Sequence, residues 1–214
     1  MQLATQFVRE ALAPFGVEVD DRLAAQVSRY METLLFWNQK VNLTAVTEPR
    51  EILTRHFGES MFGAQFLSRP EGVLGDVGSG AGFPGLALKL ASPALHLKLI
   101  EPTIKKAVFL SEVVRALELN GVEVVKERTE RIRGLGADVV TARAVGELAG
   151  LLGWARDAVF EGGQVLLWLG AEDAERARGT AGWEWAGPAA IPLSGQRVVL
   201  SGMKLPALPS VVAR

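Results

Sequence analysis

Apolar residues in the first third of the chain recur every three or four positions, the spacing that places them on one face of a helix. Phe7, Leu12 and Phe15 predict a short first helix closed by Pro14-Phe15-Gly16. Leu23, Val27, Tyr30, Met31, Leu34, Leu35 and Trp37 predict a longer second one, capped by Asp20 and running to near Val41. Asn42-Leu43-Thr44 breaks that pattern. A third helix is expected from Pro49, a favourable first-turn residue, through His56, and another from Ser60 to Leu67 before Pro70. At Val73 the texture changes to short strand-like runs alternating with helical stretches, which predicts a parallel sheet. Strands are expected near 73–77, 95–101, 122–126, 137–142 and 163–169, and helices near 84–91, 104–120, 147–159 and 171–178. Trp183-Glu184-Trp185 and Gln196-Arg197-Val198-Val199-Leu200, on either side of Pro192-Leu193-Ser194-Gly195, read as two closing strands. The proline-spaced tail from Pro206 reads as loosely held. The expected division is a helical extension over 1–69 and an α/β domain over 70–214, packed as one unit.

Composition narrows the chemistry. The 214 residues, 49% of them hydrophobic, can bury a sizeable core. The absence of cysteine removes disulfides, thiolate catalysis and cysteine-held metals, and two histidines, His56 and His96, are too few for a histidine metal site. No apolar run reaches the ~18 residues needed to span a bilayer. Arg9 and Glu10 interrupt any signal-peptide pattern, so a soluble, cytoplasmic protein is expected. The net charge of −1 argues against a uniformly basic surface, yet Lys126-Glu127-Arg128-Thr129-Glu130-Arg131-Ile132-Arg133 and Lys105-Lys106 concentrate cations locally. Such a cluster is either a solvated face or a phosphate contact.

Val73-Leu74-Gly75-Asp76-Val77-Gly78-Ser79-Gly80-Ala81-Gly82-Phe83-Pro84-Gly85 joins the first predicted strand to a helix through alternating glycines. Glycine there admits positive φ and lets a ligand approach the backbone. A dinucleotide fingerprint places its third glycine at the sixth position, where Phe83 stands; here it comes at the fifth. The pattern, with Asp76 two residues ahead, looks like the S-adenosylmethionine loop of class I methyltransferases. Glu101, at the end of the next strand, stands where such folds place a carboxylate for ribose hydroxyls, or else it caps the helix starting near Thr103. Gly78 to Gly82, Glu101, Thr129-Glu130 and Thr141 to Arg143 all fall at carboxyl ends of predicted strands.

Trp37-Asn38-Gln39-Lys40-Val41-Asn42-Leu43-Thr44 and Arg55-His56-Phe57-Gly58-Glu59-Ser60, followed in order by the glycine loop, Lys105-Lys106 with Phe109-Leu110, Arg128-Thr129-Glu130 and Ala142-Arg143-Ala144-Val145, resemble the bacterial 16S rRNA guanine-N7 methyltransferases, formerly called glucose-inhibited division protein B. The resemblance implies a seven-stranded, Rossmann-like α/β sheet with an antiparallel last strand, S-adenosylmethionine as cofactor, and 16S rRNA of the small ribosomal subunit as partner, with the chain a monomer. It implies cofactor contacts at Gly78, Gly80, Gly82, Phe83, Glu101, Thr129, Glu130 and Arg143, with Arg143 also catalytic, and no metal. Three departures stand out: Glu59 where the family has aspartate, Gly58 where bulkier residues are common, and Leu169-Gly170 where a lysine often precedes glycine.

Guanine N7 attacks through a lone pair and needs no deprotonation, so alignment suffices. Phe83, Arg143, Trp37 and Trp168 are candidates for holding a splayed base, although Trp37 at helical spacing reads as core. On the residues alone, Arg143 either orients substrate or pairs with Glu147, and Glu130 either meets adenine or pairs with Arg131 or Arg133. A methyltransferase on another substrate and a non-catalytic, ribosome-associated cofactor-binding module remain alternatives.

Overall fold

The computed structural model describes residues 3–143 and 146–206. The predicted loose tail from 207 onward, and Ala144 and Val145 of the fourth-strand motif, lie outside the described residues. Helix α1, Thr5–Leu12, continues into a 3-10 turn, Ala13–Phe15, and ends at Gly16 in the left-handed region. Helix α2, Asp21–Asn38, begins as predicted: the Asp20 carboxylate accepts from Leu23 N at 2.7 Å. It stops short of Val41 because Asn38 turns its side chain back on the following loop. Its Oδ1 accepts from Leu43 N and Thr44 N, and its Nδ2 donates to Thr44 O.

The two helices expected over 49–67 are one, α3, over 49–66. Its ends are α-helical and 3-10, and its middle, Ile52–Gly58, is a π-helix. The wider π turn carries the chain through without a break, a feature that hydrophobic spacing does not encode.

The strands are β1 Val73–Val77, β2 His96–Ile100, β3 Val122–Val125, β4 Ala137–Arg143, β5 Val159–Gly170, β6 Trp183–Trp185, β7 Ala189–Ala190 and β8 Arg197–Lys204. Between them run α4 Gly85–Ala91, α5 Ile104–Ala116, α6 Leu148–Ala158 and α7 Ala171–Arg178. The sheet order is β3-β2-β1-β4-β5-β8-β6, with β1 to β5 parallel and β8 antiparallel to both neighbours. Seven strands were expected; the eighth, β7, is a two-residue pairing on β8, too short to show as a period. Helix α5 ends before the predicted 120, where Glu118 takes a positive φ of 51°. The chain reverses beside β1, between β2 and β4, so the carboxyl ends of β1, β2 and β4 border the crevice where such sheets bind ligands.

One core cluster lies on each side of this sheet. Val8, Leu12, Tyr30, Met31 and Phe57 from the N-terminal helices share the first with Leu74, Leu86 and Phe109. Helices α6 and α7 cover the second, with Leu152, Ala155, Val165 and Leu200. Each such buried aliphatic or aromatic side chain contributes about 1.5–3 kcal/mol, so the helical extension is held by the same burial that holds the sheet.

The tightest seam is at Gly82, φ 87°, where the glycine turn meets α2. A β-carbon there would meet the Tyr30 hydroxyl and come within 2.6 Å of Leu86 Cδ1. Gly82→Ala is therefore expected to cost about 3 kcal/mol or more through overpacking and positive φ together. Urea unfolding of the variant checks this.

Candidate active site at the carboxyl edge of the sheet

Register aligns the relevant residues in one row. Val77 pairs with Ile100 on β2 and Ala142 on β4, so Gly78, Glu101 and Arg143, the next residue of each strand, lie along one edge. The glycine turn is anchored by Gly78 N and Ser79 N, which both donate to Ile100 O, and by Gly82 N, which donates to Ser79 O at 2.6 Å. Gly78 and Gly80 have φ of 67° and 53°. A β-carbon on Gly78 would meet nothing within 4 Å, and one on Gly80 only the Gly78 carbonyl at 3.6 Å. The turn thus opens onto free space and offers backbone to a ligand.

Glu101 is buried, makes the contact near Thr103 that was weighed for it, and adds one to the glycine turn. Its Oε1 accepts from Thr103 N at 2.8 Å, ahead of α5, and its Oε2 from Gly80 N at 3.0 Å, inside the turn. Each carboxylate oxygen keeps a second lone pair for a ribose hydroxyl. Thr129 and Glu130 form a 3-10 turn, Thr129–Arg131, after β3, with Glu130 exposed. Arg131 reaches Glu127 at 3.6 Å rather than Glu130.

Asp76 is fully buried beneath the turn. It accepts from Gly85 N at 3.2 Å and Thr141 Oγ1 at 3.1 Å, and its β-carbon and carboxylate fill the space that a side chain at Gly85 would need. Burial pushes its carboxyl up to about 7 despite these donors.

Phe83 contributes its ring to packing. It stacks with His56, at 5.0 Å between centroids, and with Tyr30, at 5.2 Å and nearly parallel, with Phe57 edge-on. Only 8% of it is exposed, so its ring is not the free stacking plane considered for a base. Tyr30 Oη donates to Ala81 O at 2.6 Å, which ties α2 to the turn. His56 contacts Thr44 Oγ1 at 2.7 Å; burial, then Arg143 and Arg55, push the imidazole down to about 4.

Arg143 does not pair with Glu147. Its Nη2 donates to Glu59 Oε2 at 3.1 Å and Arg55 O at 2.8 Å, and its Nη1 donates to Ser60 Oγ at 3.3 Å. Burial lowers its pKa, opposed by Glu59. Glu59 also takes Arg197, through Nε at 3.0 Å and Nη2 at 2.5 Å. The sequence reading missed Arg197. The only signal was a cation at the head of the last strand, and register sets it opposite Gly170 at the end of β5.

The departures are absorbed locally. The ring of Phe15 fills the space that a side chain at Gly58 would take. Leu169 lies in the second core cluster. Trp168, considered as a stacking surface, is buried against Gly63 and donates to Glu59 O at 2.6 Å. Trp37 packs edge-on against Phe109, as its spacing suggested. A separate cavity of about 450 Å³, between Phe15, Leu23, Met61 and Leu90, includes none of the residues at the strand ends.

A parallel sheet closed by an antiparallel strand, a glycine turn after β1 and a carboxylate after β2 define a class I S-adenosylmethionine-dependent methyltransferase. A solved S-adenosylmethionine-dependent methyltransferase from Aquifex aeolicus has this fold, at a TM-score of 0.61 and 15% identity over 74% of this chain and 94% of that one. The family model for rRNA small subunit methyltransferase G matches residues 23–182, and the chain belongs to that family. It is 44% identical to ribosomal RNA small subunit methyltransferase G of Roseiflexus castenholzii over 71% of this chain and 67% of that protein. To the protein of the same name from Stenotrophomonas maltophilia it is 36% identical over 89% and 90%.

Two outcomes follow from these contacts. Glu101→Gln leaves one accepting oxygen where two are in use, so cofactor affinity measured by calorimetry is expected to fall about tenfold. The pH dependence of stability is expected to hide two opposed slopes. Asp76, raised to about 7, holds its proton more tightly when folded, so its contribution is greatest at low pH and is lost as pH rises toward 7. His56, lowered to about 4, contributes fully above its ordinary 6.5 and loses that contribution as pH falls toward 4. Each swing is on the order of 3 kcal/mol. Unfolding free energies should therefore vary little between these limits in the wild type, fall on acidification in Asp76→Asn, and rise on acidification in His56→Gln.

Proposed function

We propose that this protein transfers a methyl group from S-adenosylmethionine to N7 of a guanine in 16S rRNA of the small ribosomal subunit, acting as a monomer in the cytoplasm. One observation supports the N7 assignment beyond family membership: the buried carboxylates at the crevice, and His56, are already engaged. Asp76 is committed to Gly85 and Thr141, Glu101 to Gly80 and Thr103, Glu59 to two arginines and His56 to Thr44. A nucleophile that carries its own lone pair needs no general base, and such a crevice supplies position instead.

The residues present fit the cofactor. Gly78 and Gly80 offer open backbone, Glu101 offers acceptors for ribose hydroxyls, and the Thr129-Glu130 turn offers a carboxylate and backbone for an adenine edge. Gly82 and Phe83 support the turn from beneath through packing with α2, α3 and α4. When bound, S-adenosylmethionine supplies an electrophilic methyl group on a sulfonium. Arg143, at the end of β4, orients guanine or an adjoining phosphate with its planar guanidinium. Lys105, Arg128, Arg131 and Arg133 are exposed and Lys106 half-buried, near the same edge, where they can meet the RNA backbone. Among the described residues, no helix is long and apolar enough to cross a membrane.

Incubation with S-adenosylmethionine and small subunits or 16S rRNA lacking the mark, followed by mass-spectrometric mapping, tests the reading. A single 7-methylguanosine is expected; methylation elsewhere or none overturns it. Arg143→Ala is expected to slow single-turnover methylation by about a hundredfold with cofactor affinity kept within about twofold, and Arg143→Lys to recover only part.

A further inference from the structure

We propose that Glu59 is a positioning residue for methyl transfer, holding Arg143 and Arg197 as a paired clamp for one phosphodiester of the RNA. The proposal rests on the rRNA-methyltransferase reading and concerns how the same crevice grips its substrate.

Glu59 follows the π-helical turn of α3, and its side chain is 3% exposed. Its main chain is pinned by the indole of Trp168, which donates to its carbonyl from β5. The carboxylate then reaches two guanidinium groups from strands on either side of β5: Arg143 ends β4 and Arg197 begins β8. Oε1 serves Arg197, and Oε2 serves both. Neither arginine can swing away without leaving a buried carboxylate short of a partner, which fixes both planes.

The charges do not balance. Two cations share one anion, while the nearby Arg55 faces Glu51 at 3.9 Å. Their side chains are 19% and 36% exposed, so the surplus positive charge is partly withdrawn from water yet open to the crevice. Among the described residues, Arg197 Nη1 makes no hydrogen bond within the chain. An anion with paired acceptor oxygens, which a phosphodiester is, completes such a cluster.

Glu59→Gln separates charge from geometry, because the two predict opposite signs. Removing the carboxylate makes the crevice more positive, so charge alone would tighten RNA binding and leave the bound rate unchanged. Loss of the clamp slows methyl transfer from bound RNA. The expected result is a single-turnover rate at saturating RNA lower by at least about tenfold, with cofactor affinity within about twofold and RNA affinity not weakened. Glu59→Asp, which keeps the charge, should recover part of the rate. A folded Glu59→Gln protein with a wild-type rate overturns the proposal, and so does parallel loss of rate, cofactor affinity and melting temperature in both variants.

A second arm uses wild-type protein, so that poor folding of a variant decides nothing. RNA carrying a neutral methylphosphonate in place of one phosphodiester beside the mapped guanosine should be methylated at least about tenfold more slowly at one such position. Rates within about twofold at every position overturn the clamp. Wild-type protein that methylates no guanine removes the rRNA-methyltransferase reading, and the proposal with it; normal wild-type methylation with an indifferent Glu59→Gln removes the proposal alone.

Discussion

The parallel stack of Phe83 on Tyr30, with His56 stacked on the same ring, sets the position of the glycine turn. A turn of alternating glycines has little conformational preference of its own and would sample many shapes if only its strand held it. Here it is fixed from beneath. The Tyr30 hydroxyl holds the Ala81 carbonyl, the rings fill the space under the turn, and Gly82 lets α2 and α4 close on it. Two carboxylates add to this hold: Glu101 accepts from Gly80 N, and the buried Asp76 accepts from Gly85 N. The N-terminal helices are therefore structural parts of the glycine turn's support.

The same helices shape the other half of the crevice. His56 joins the stack on one side, and Arg55 and Glu59, on the same α3 segment, meet Arg143 on the other. Arg55 and His56 lie within the π turn over Ile52–Gly58 and Glu59 directly follows it, so one short segment serves both sides. His56 also reaches the loop folded by Asn38 through Thr44, so the turn, the π segment and that loop form one hydrogen-bonded and packed unit. A shift in any of them must move the others, because packed interiors yield in steps and not smoothly.

Electrostatics follows burial. Asp76 and His56 are both destabilised in their charged forms by loss of water, and their pKa values move in opposite directions because one is an acid and the other a base. Around Glu59 the crevice carries two guanidinium groups, those of Arg143 and Arg197, against one shared carboxylate. That balance suits the recognition of an anionic polymer by a protein whose overall charge is −1.

What the chain determined locally was legible in the sequence. Helical spacing, the Asp20 cap, the alternation of strand and helix and the glycine turn each depend on neighbours a few residues apart, and the structure contains them with shifted ends. The row formed by Gly78, Glu101 and Arg143 was also legible, because parallel strands of similar length bring their carboxyl ends to one edge. Pairings between distant segments were not. Glu59 with Arg143 and Arg197, Tyr30 with Ala81, and Phe15 against Gly58 join residues 43 to 138 positions apart. Such partners are chosen by how helices and sheet pack, a matter of volume and shape that no periodicity records. The sequence offered Arg143 a neighbouring carboxylate in Glu147 and offered Arg197 none close by; only the closed tertiary structure, by burying Glu59 between β4 and β8, decided that both would meet Glu59.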